Sequence, residues 1–262
     1  GAKRLSARRG IVELHQFPPS VRDTDGLRLS ASPFCAKAEV FLRLARVPYV
    51  VVDGVARGQN GKLPFAVLDG QEICDSSAIV RAVSARFGVD MDAHLDERQR
   101  AHGLAIKRMV EEHTYFHALY NHWTDDAGWT QIFAAFDFAR IPWLVRVFLL
   151  PKMRAGVIAG ISAQGVGRMS KEERMARMSE DVSALSAILG DSPYVLGDRV
   201  SSVDATVFAF LRELIRDGIE CPLSAAVRGH ANLVSYVDRL SDEFKNTPHT
   251  SEQLPDDRKA DQ

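Results

Sequence analysis

The chain has 262 residues, of which 46% are hydrophobic and 26% charged, and its 33 Lys and Arg residues balance 34 Asp and Glu residues. A chain of this length and composition buries either one large core or the cores of two modest domains. Because it lacks a global basic field, we expect no nucleic-acid partner. Its three scattered cysteines, Cys35, Cys74 and Cys221, are too few for a disulfide scaffold or a structural zinc site. This cysteine usage favours a reducing, cytoplasmic compartment.

The first predicted elements are a strand, a helix and a second strand. Residues 11–17 and 48–54 are short apolar runs typical of strands, and residues 32–47 carry an apolar stripe at helical spacing. A loop rich in Pro, Asp and Gly, residues 18–31, connects the first strand to the helix. This order predicts a parallel pair of strands with a helical crossover.

The start of the first helix is the first place to look for chemistry. Ser32 is a favourable cap and Pro33 fits the first helical position. Glu39 and Arg43 are four residues apart, and we expect them to pair on the exposed side. The free N–H groups and the dipole of a helix start favour a negative charge, so residues 32–35 are a candidate position for a reactive sulfur or a bound anion.

A hairpin and a second helix follow. Residues 63–74 contain two strand-like runs separated by Asp69-Gly70, a strong turn signal. Residues 76–87 have apolar side chains at helical spacing, and Gly88 is a suitable C-terminal stop. The order up to this glycine is therefore βαβ followed by ββα.

Beyond about residue 91 the strand signals disappear, and the rest of the chain is predicted to be helical. Two capping boxes mark helix starts, Ser170 with Glu173 and Ser201 with Asp204. The main predicted helices cover residues 98–123, 171–189, 205–215 and 232–244. We expect two domains, residues 10–90 and 91–246, and a disordered polar tail at residues 247–262.

The most apolar region of the sequence is residues 141–161. Arg146, Lys152 and Arg154 interrupt it and Pro151 breaks it, so no run of about twenty uncharged apolar residues is present. We expect a buried helix here and no membrane span. Contact with a membrane is the less favoured alternative.

Several motifs place the chain near a known family. The βαβ–ββα order with a helix that opens Ser-Pro-Phe-Cys resembles the thioredoxin-like half of glutathione transferases. The set SPFCAKAEVFLR, GKLPF, CDSS, LPKMR, QGVGR and GDRVSSVDATVF is similar to the branch that contains failed axon connections proteins and metaxins. The resemblance runs from about residue 11 to residue 244. It implies an α/β thioredoxin-like N-terminal domain followed by an all-helical glutathione-transferase C-terminal domain.

The resemblance gives the first helix start a specific role. In glutaredoxin-like relatives the motif is C-P-Y-C, whereas here Ser32 takes the first position and Cys35 lies one turn inside the helix. Dithiol oxidoreduction is therefore disfavoured, and Ser32 is expected to donate a hydrogen bond to the thiolate of bound glutathione. Such a bond contributes about 1.5–3 kcal/mol. The alternatives are that Ser32 is only a helix cap, or that Cys35 has a redox role of its own.

The same resemblance assigns the remaining glutathione contacts. Leu63 would pair through its backbone with the cysteinyl part, Pro64 would form a cis turn, and Lys62 belongs to the same site. Asp75 would face the γ-glutamyl ammonium group, and Ser76 would hold its carboxylate. An Asp-Ser pair at this position is otherwise a simple helix cap.

The second substrate is expected to be a small hydrophobic electrophile. Aromatic residues are the candidate walls of its pocket: Phe34, Tyr115, Tyr120 and Trp123. His113 and His117 have the spacing of metal ligands, but no third ligand is evident, and we expect no metal. The loop of residues 18–31 would either cover or obstruct the site.

The preferred function is glutathione transfer to this electrophile, performed by a homodimer as is common in the resembling fold. Positioning and a lowered thiol pKa are the only catalytic effects that it requires. The alternative is a non-catalytic adaptor or binding protein that keeps the transferase fold, as some members of the branch do.

Overall fold

The computed structural model describes residues 10–55 and 57–246. The predicted disordered tail, residues 247–262, lies outside the described residues.

Four strands form one mixed sheet near the N-terminus. They are β1 (Val12–Gln16), β2 (Tyr49–Asp53), β3 (Phe65–Leu68) and β4 (Gln71–Cys74). The order across the sheet is β2-β1-β3-β4, with β1 and β2 parallel and the other two pairs antiparallel. The predicted parallel pair and hairpin are therefore confirmed. The antiparallel register places the C-terminal end of β1 beside the N-terminal end of β3.

Ten α-helices are present in the described residues, two of them in the sheet-containing part. These two are α1 (Pro33–Leu44) and α2 (Ser76–Phe87), and Gly88 ends α2 with a left-handed φ of 66° as predicted. The others are α3 (Glu97–Arg108), α4 (Tyr115–Trp123), α5 (Asp126–Ala135), α6 (Trp143–Gln164), α7 (Lys171–Leu189), α8 (Ser202–Arg216), α9 (Pro222–Arg228) and α10 (Ala231–Asn246). A π-helical turn, Met109–Thr114, joins α3 to α4, and 3-10 turns at Phe138–Arg140 and Val166–Arg168 flank α6.

Helix α8 lies at the centre of the core and packs against α1. Its start is fixed by the predicted capping box, in which the buried carboxylate of Asp204 accepts hydrogen bonds from the backbone N–H and the hydroxyl of Ser201. The same carboxylate accepts a bond from the Tyr236 hydroxyl at 3.0 Å. Burial raises the pKa of Asp204, and these donors oppose the rise. Ser201 and Asp204 are therefore structural residues.

The Glu39–Arg43 pair forms, but it is buried and not on the exposed side as we predicted. Their side chains meet at 2.5 Å and are 4% and 8% exposed. Glu39 also accepts a hydrogen bond from Gln16 Nε2 at 2.8 Å and lies 3.4 Å from the Tyr49 hydroxyl. Gln16, the last residue of β1, and Tyr49, the first residue of β2, thus cover this side of α1 and shield the ion pair from solvent. The helix itself ends at Leu44, earlier than predicted.

The most apolar region forms a helix, α6, but the prediction that it is buried was wrong. Only Leu150 and Ile161 of α6 are fully buried, and six residues near its start are between 46% and 77% exposed. Pro151 lies inside the helix and does not end it. Pro151 cannot donate an N–H to the Val147 carbonyl, and Val147 is 52% exposed. No helix in the described part of the chain is long and apolar enough to cross a membrane.

Candidate glutathione site

Three chain segments of the predicted site are related by the sheet, in which the end of β1 pairs with the start of β3. They are the start of α1 at Ser32, the Leu63-Pro64 peptide before β3, and the start of α2 at Asp75. The Asp75 N–H donates a hydrogen bond to the Pro64 carbonyl at 3.3 Å, which ties the second segment to the third. The hydrogen bond therefore brings Pro64 and Asp75 together at the end of the sheet from which β1 leads toward α1.

Ser32 occupies the N-cap position of α1, but its side chain makes no capping hydrogen bond. Its backbone N–H donates to the Ser30 hydroxyl at 3.2 Å, and the residue is half-buried. The role of a simple side-chain cap, which was the alternative to a functional role, is thus not realised. The Ser32 hydroxyl instead lies near the Cys35 thiol at the start of α1.

Cys35 lies one turn inside α1 and is fully buried. Burial raises the pKa of the Cys35 thiol, and the Phe17 backbone and the hydroxyls of Ser32 and Ser30 only partly oppose the rise. A nucleophilic cysteine needs exposure and a lowered pKa. The environment of Cys35 therefore disfavours a redox role.

Cys35 is expected to be unreactive in the native protein. In a Cys74→Ser/Cys221→Ser variant, which leaves Cys35 as the single thiol, a water-soluble thiol reagent should label the chain only after denaturant is added. The labelling rate with and without denaturant measures this. Rapid labelling of the folded variant would restore the redox hypothesis.

The Leu63-Pro64 peptide bond is cis, as the resemblance implied. Pro64 is buried and Leu63 half-buried, whereas the neighbouring Lys62 is exposed. The Lys62 backbone is held on both sides, since its N–H donates to Asn60 Oδ1 and its carbonyl accepts from the Gly58 N–H. Hydrogen bonds thus hold residues 58–62 just before β3, and Lys62 is exposed.

Asp75 is exposed and has a left-handed φ of 83°, which is rare for a residue other than glycine. One carboxylate oxygen, Oδ1, accepts hydrogen bonds from Ser77 N–H at 2.9 Å and Ala78 N–H at 3.1 Å, so the residue caps α2. The hydrogen bonds that Asp75 makes to other described residues leave its second oxygen unused. Ser76 is buried behind it. The Asp-Ser pair is therefore an exposed helix cap that uses one of the two carboxylate oxygens of Asp75.

A buried ionic contact, which sequence reasoning missed, supports the start of α2. Lys37 Nζ donates to Ser77 Oγ at 2.7 Å and to Glu111 Oε1 at 2.6 Å. The Glu111 side chain belongs to the π-helical turn, is 7% exposed, and also accepts a bond from Thr206. Lys37 lies four residues before Phe41, on the apolar stripe of α1. A lysine at such a core position usually has a buried partner, and this signal could have revealed the ionic contact.

The four predicted aromatic wall residues do not share one surface. Phe34 contacts Tyr115 edge-on with ring centroids 4.9 Å apart, beside the start of α1. Tyr120 instead lies under the Arg174 guanidinium at 3.8 Å, and Trp123 packs on Trp129 at 5.4 Å. A second aromatic residue beside Phe34 is Phe210 of α8, at 5.1 Å, which the sequence analysis did not select.

His113 and His117 contact each other and not a set of metal ligands. His113 Nδ1 is 2.7 Å from Asp181 Oδ2, and the ring of His117 packs edge-on against the His113 ring. Burial lowers the pKa of His117 to about 4, so this ring is neutral at pH 7. Within residues 10–55 and 57–246, no three His, Cys, Asp or Glu side chains are placed to hold a metal ion.

The loop of residues 18–31 is docked on the helical part of the protein. Arg212 of α8 is 2% exposed and contacts three carboxylates, those of Asp23 at 2.8 Å, Asp25 at 2.5 Å and Asp217 at 3.3 Å. Burial acts to raise the pKa of Asp25, but the hydrogen bond and charge of Arg212 outweigh it and hold that pKa at about 2. Burial raises the pKa of Asp217 to about 8 despite the opposing charge of Arg212. The loop is therefore fixed by an ionic cluster and not free in solution.

Asp217 is expected to make stability fall as the pH rises. Because its pKa is higher in the folded protein, its contribution is complete below the unfolded pKa of 3.8 and is lost as the pH approaches about 8. The wild type should lose more unfolding free energy than Asp217→Asn between about pH 5 and about pH 8, by at most about 1.4 kcal/mol per pH unit. Urea unfolding across this range tests it, with the exposed Asp198→Asn as control. Equal slopes for the wild type and Asp217→Asn would contradict the raised pKa.

Comparison with known proteins identifies the family. The family model for the glutathione S-transferase N-terminal domain matches residues 33–128, and the model for the C-terminal domain matches residues 178–240. The isoprene-epoxide glutathione S-transferase of Rhodococcus sp. (strain AD45) is 34% identical over 195 residues, which cover 71% of this chain and 79% of that protein. The chain belongs to the glutathione S-transferase family.

Other relatives confirm the expected branch. Failed axon connections of Drosophila melanogaster is 29% identical over 245 residues, covering 88% of this chain but only 57% of that protein. Metaxin-2 of Mus musculus is 26% identical over 220 residues, covering 82% of this chain and 83% of that protein. The similarity thus includes proteins named as transferases and proteins that are not.

Solved structures confirm the fold. The crystal structure of glutathione transferase GSTFuA3 from Phanerochaete chrysosporium has a TM-score of 0.58 and covers 93% of this chain and 100% of its own, at 12% identity. The chain therefore has the predicted architecture, a thioredoxin-like N-terminal sheet with helices followed by a helical C-terminal part. The division near residue 90 stays a prediction.

Proposed function

We propose that the protein transfers glutathione to a small hydrophobic electrophile. The observation that carries the proposal is the 3.3 Å hydrogen bond from the Asp75 N–H to the Pro64 carbonyl. It joins the start of α2 to the cis peptide before β3. The pairing of the end of β1 with the start of β3 supports a site that also includes the start of α1. Glutathione bound along this end of the sheet would pair with the Leu63 backbone. Its ammonium group would contact the Asp75 carboxylate, and its sulfur would contact the Ser32 hydroxyl.

Each predicted residue has a role in this proposal. Leu63 pairs with the backbone of the cysteinyl part, and Pro64 shapes the turn that presents it. The second carboxylate oxygen of Asp75 binds the γ-glutamyl ammonium group, and the start of α2 at Ser76 receives the carboxylate. The exposed ammonium group of Lys62 is available to the carboxylate at the other end of the peptide.

Ser32 is the proposed catalytic residue. Its hydroxyl donates to the glutathione sulfur and stabilises the thiolate, which lowers the thiol pKa by about one to two units. The thiolate then attacks an electrophilic carbon. With an epoxide, for instance, a C–S bond forms, the C–O bond breaks, and the ring oxygen leaves as an alkoxide that takes a proton from water.

The second substrate would lie against the aromatic side chains beside Ser32. We propose Phe34 and Tyr115, which contact each other there, as walls of this pocket, and we retain Tyr120 and Trp123 only as more distant candidates. The relative from Rhodococcus is named for an epoxide substrate, so small apolar epoxides are the first electrophiles to try.

Calorimetric titration with reduced glutathione tests the binding site. We expect saturable binding that Asp75→Asn weakens by about ten- to a hundredfold, because the amide keeps the helix cap but loses the charge-assisted bond. The matched control is Asp96→Asn, which changes the N-cap of α3 in the same way at a distant position. Unchanged affinity in Asp75→Asn would refute the assignment of Asp75.

The second candidate function is a non-catalytic adaptor that keeps this fold. Its support is the 26–29% identity to Metaxin-2 and Failed axon connections over more than four fifths of this chain. It predicts neither heat nor thermal stabilisation at millimolar glutathione, and no turnover with epoxides. That pair of results would favour the adaptor over the transferase.

We also propose a cytoplasmic homodimer. The family similarity supports self-association, and the free cysteines agree with a reducing compartment. Sedimentation equilibrium of the purified chain would test the dimer, and a monomer at all concentrations would exclude it.

A further inference from the structure

We propose that the exposed start of α6 inserts into the surface of an anionic lipid bilayer. This proposal is independent of the glutathione site. The insertion surface comprises the apolar residues Trp143, Leu144, Val145, Val147, Phe148 and Leu149.

The exposure of this surface extends around most of the helix. The six side chains are between 46% and 77% exposed, and Phe148 is the most exposed of them. Successive helical residues are about 100° apart, so positions 143–149 point in nearly every direction around the axis. A rigid protein partner covers one side of a helix, whereas the acyl chains of a bilayer can surround every side of it. The distribution therefore favours lipid over a second protein.

The dimensions and residue types of the surface also fit a bilayer interface. The span from Trp143 to Leu149 is about 9 Å long along the helix axis, so a helix start that enters end-on would reach a depth similar to the ~5–10 Å to which interfacial helices bury their apolar faces. Trp and Phe are suited to the boundary between headgroups and acyl chains. An apolar groove of about 480 Å³ between α5 and α6, lined by Trp129, Phe133, Val147, Leu150, Pro151 and Ile158, continues the surface onto the protein body.

The charges around the surface favour anionic lipid. Residues 138–171 contain six Lys or Arg and no Asp or Glu, although the whole chain has a net charge of −1. Arg154 is paired with Asp126 at 3.1 Å. In the described part of the chain, however, no carboxylate forms an ion pair with Arg146 or Lys152. Arg146 lies within the insertion surface and Lys152 three residues beyond it, and side chains of this length can extend their charges to lipid headgroups while their stems contact the apolar region.

The same charges argue against a second copy of the chain. A symmetric dimer contact brings the same patch of both subunits together. That contact would bring two copies each of Arg146 and Lys152 into one interface, and like charges at a contact are unfavourable. A bilayer that contains anionic lipid supplies the opposite charge instead.

Flotation of the full chain with vesicles tests the proposal. We expect binding to vesicles of phosphatidylcholine with phosphatidylserine, weaker binding in high salt, and little binding to phosphatidylcholine alone. Phe148→Ser and Leu144→Ser should each lower partitioning by about tenfold or more. Arg146→Gln with Lys152→Gln should lower it by roughly 30-fold and reduce its salt dependence.

Matched controls remove an exposed leucine and an exposed cation elsewhere. Leu104→Ser on α3 and Arg199→Gln between α7 and α8 should partition like the wild type. Equal binding to vesicles with and without phosphatidylserine, or no binding to either, would overturn the proposal. So would a dimer in lipid-free solution that Phe148→Ser dissociates, because a second copy would then cover the surface.

Discussion

Replacing Ser32 with alanine is expected to lower kcat by about ten- to a hundredfold, because the thiolate loses a hydrogen bond that contributes about 1.5–3 kcal/mol. The pKa of bound glutathione should rise by about one to two units, so activity should recover at higher pH. The unfolding free energy should change little, since the Ser32 side chain makes no capping bond. Steady-state rates across a pH series, with unfolding measured in parallel, check all three.

Ser30→Ala is the matched control for this result. Ser30 is the other serine whose hydroxyl lies near Cys35, but it precedes the helix start and accepts a bond from the Ser32 N–H. Ser32→Thr should retain much of the activity because it keeps the hydroxyl. Equal losses in Ser30→Ala and Ser32→Ala, or a stability loss of about 1 kcal/mol with unchanged turnover, would contradict the catalytic assignment.

Replacing Lys37 with methionine is expected to destabilise the protein by about 3–5 kcal/mol, because Glu111 would keep a buried charge without its partner. The start of α2 would also lose the support of Lys37 on Ser77. The affinity for glutathione should therefore weaken in any variant that still folds. Urea unfolding and glutathione titration measure the two effects separately.

The double variant Lys37→Met/Glu111→Gln provides the internal test. Removing both charges should restore much of the stability, so the two changes should be strongly non-additive. The exposed pair Arg108–Glu112, on neighbouring turns of the same helical segment, is the control, and Arg108→Met should cost less than about 1 kcal/mol. If Lys37→Met cost no more than Arg108→Met, Lys37 would have no special role.

Local signals in the sequence were sufficient for most of the fold. Asp69-Gly70 set the hairpin, Gly88 ended α2, and the Ser201–Asp204 box began the central helix, because each depends on backbone geometry within a few residues. The side on which a residue lies was harder to predict. Glu39 and Arg43 were correctly paired but placed on the wrong side, because the Gln16 and Tyr49 side chains that cover them come from other elements.

The site residues follow the same pattern. Ser32, Pro64 and Asp75 could be selected from the sequence since each begins a helix or strand at one edge of the sheet. Tyr120 and Trp123 were grouped with Tyr115 because they are close in sequence. They follow Tyr115 by five and eight residues, however, and side chains at these spacings do not lie on the same face of a helix as the first. The exposure of α6 could not be predicted, because burial depends on what the rest of the chain places against a helix.

The docked loop has a consequence for synthesis on the ribosome. Chains emerge N-terminal end first, and a domain usually folds once its own residues are available. Here the connection between β1 and α1 carries Asp23 and Asp25, whose buried partner Arg212 is made nearly two hundred residues later. The thioredoxin-like part therefore emerges with two carboxylates that have no arginine to neutralise them. Its final ordering must wait until α8 has left the ribosome, so a nascent chain stalled before residue 212 should remain protease-sensitive between β1 and α1.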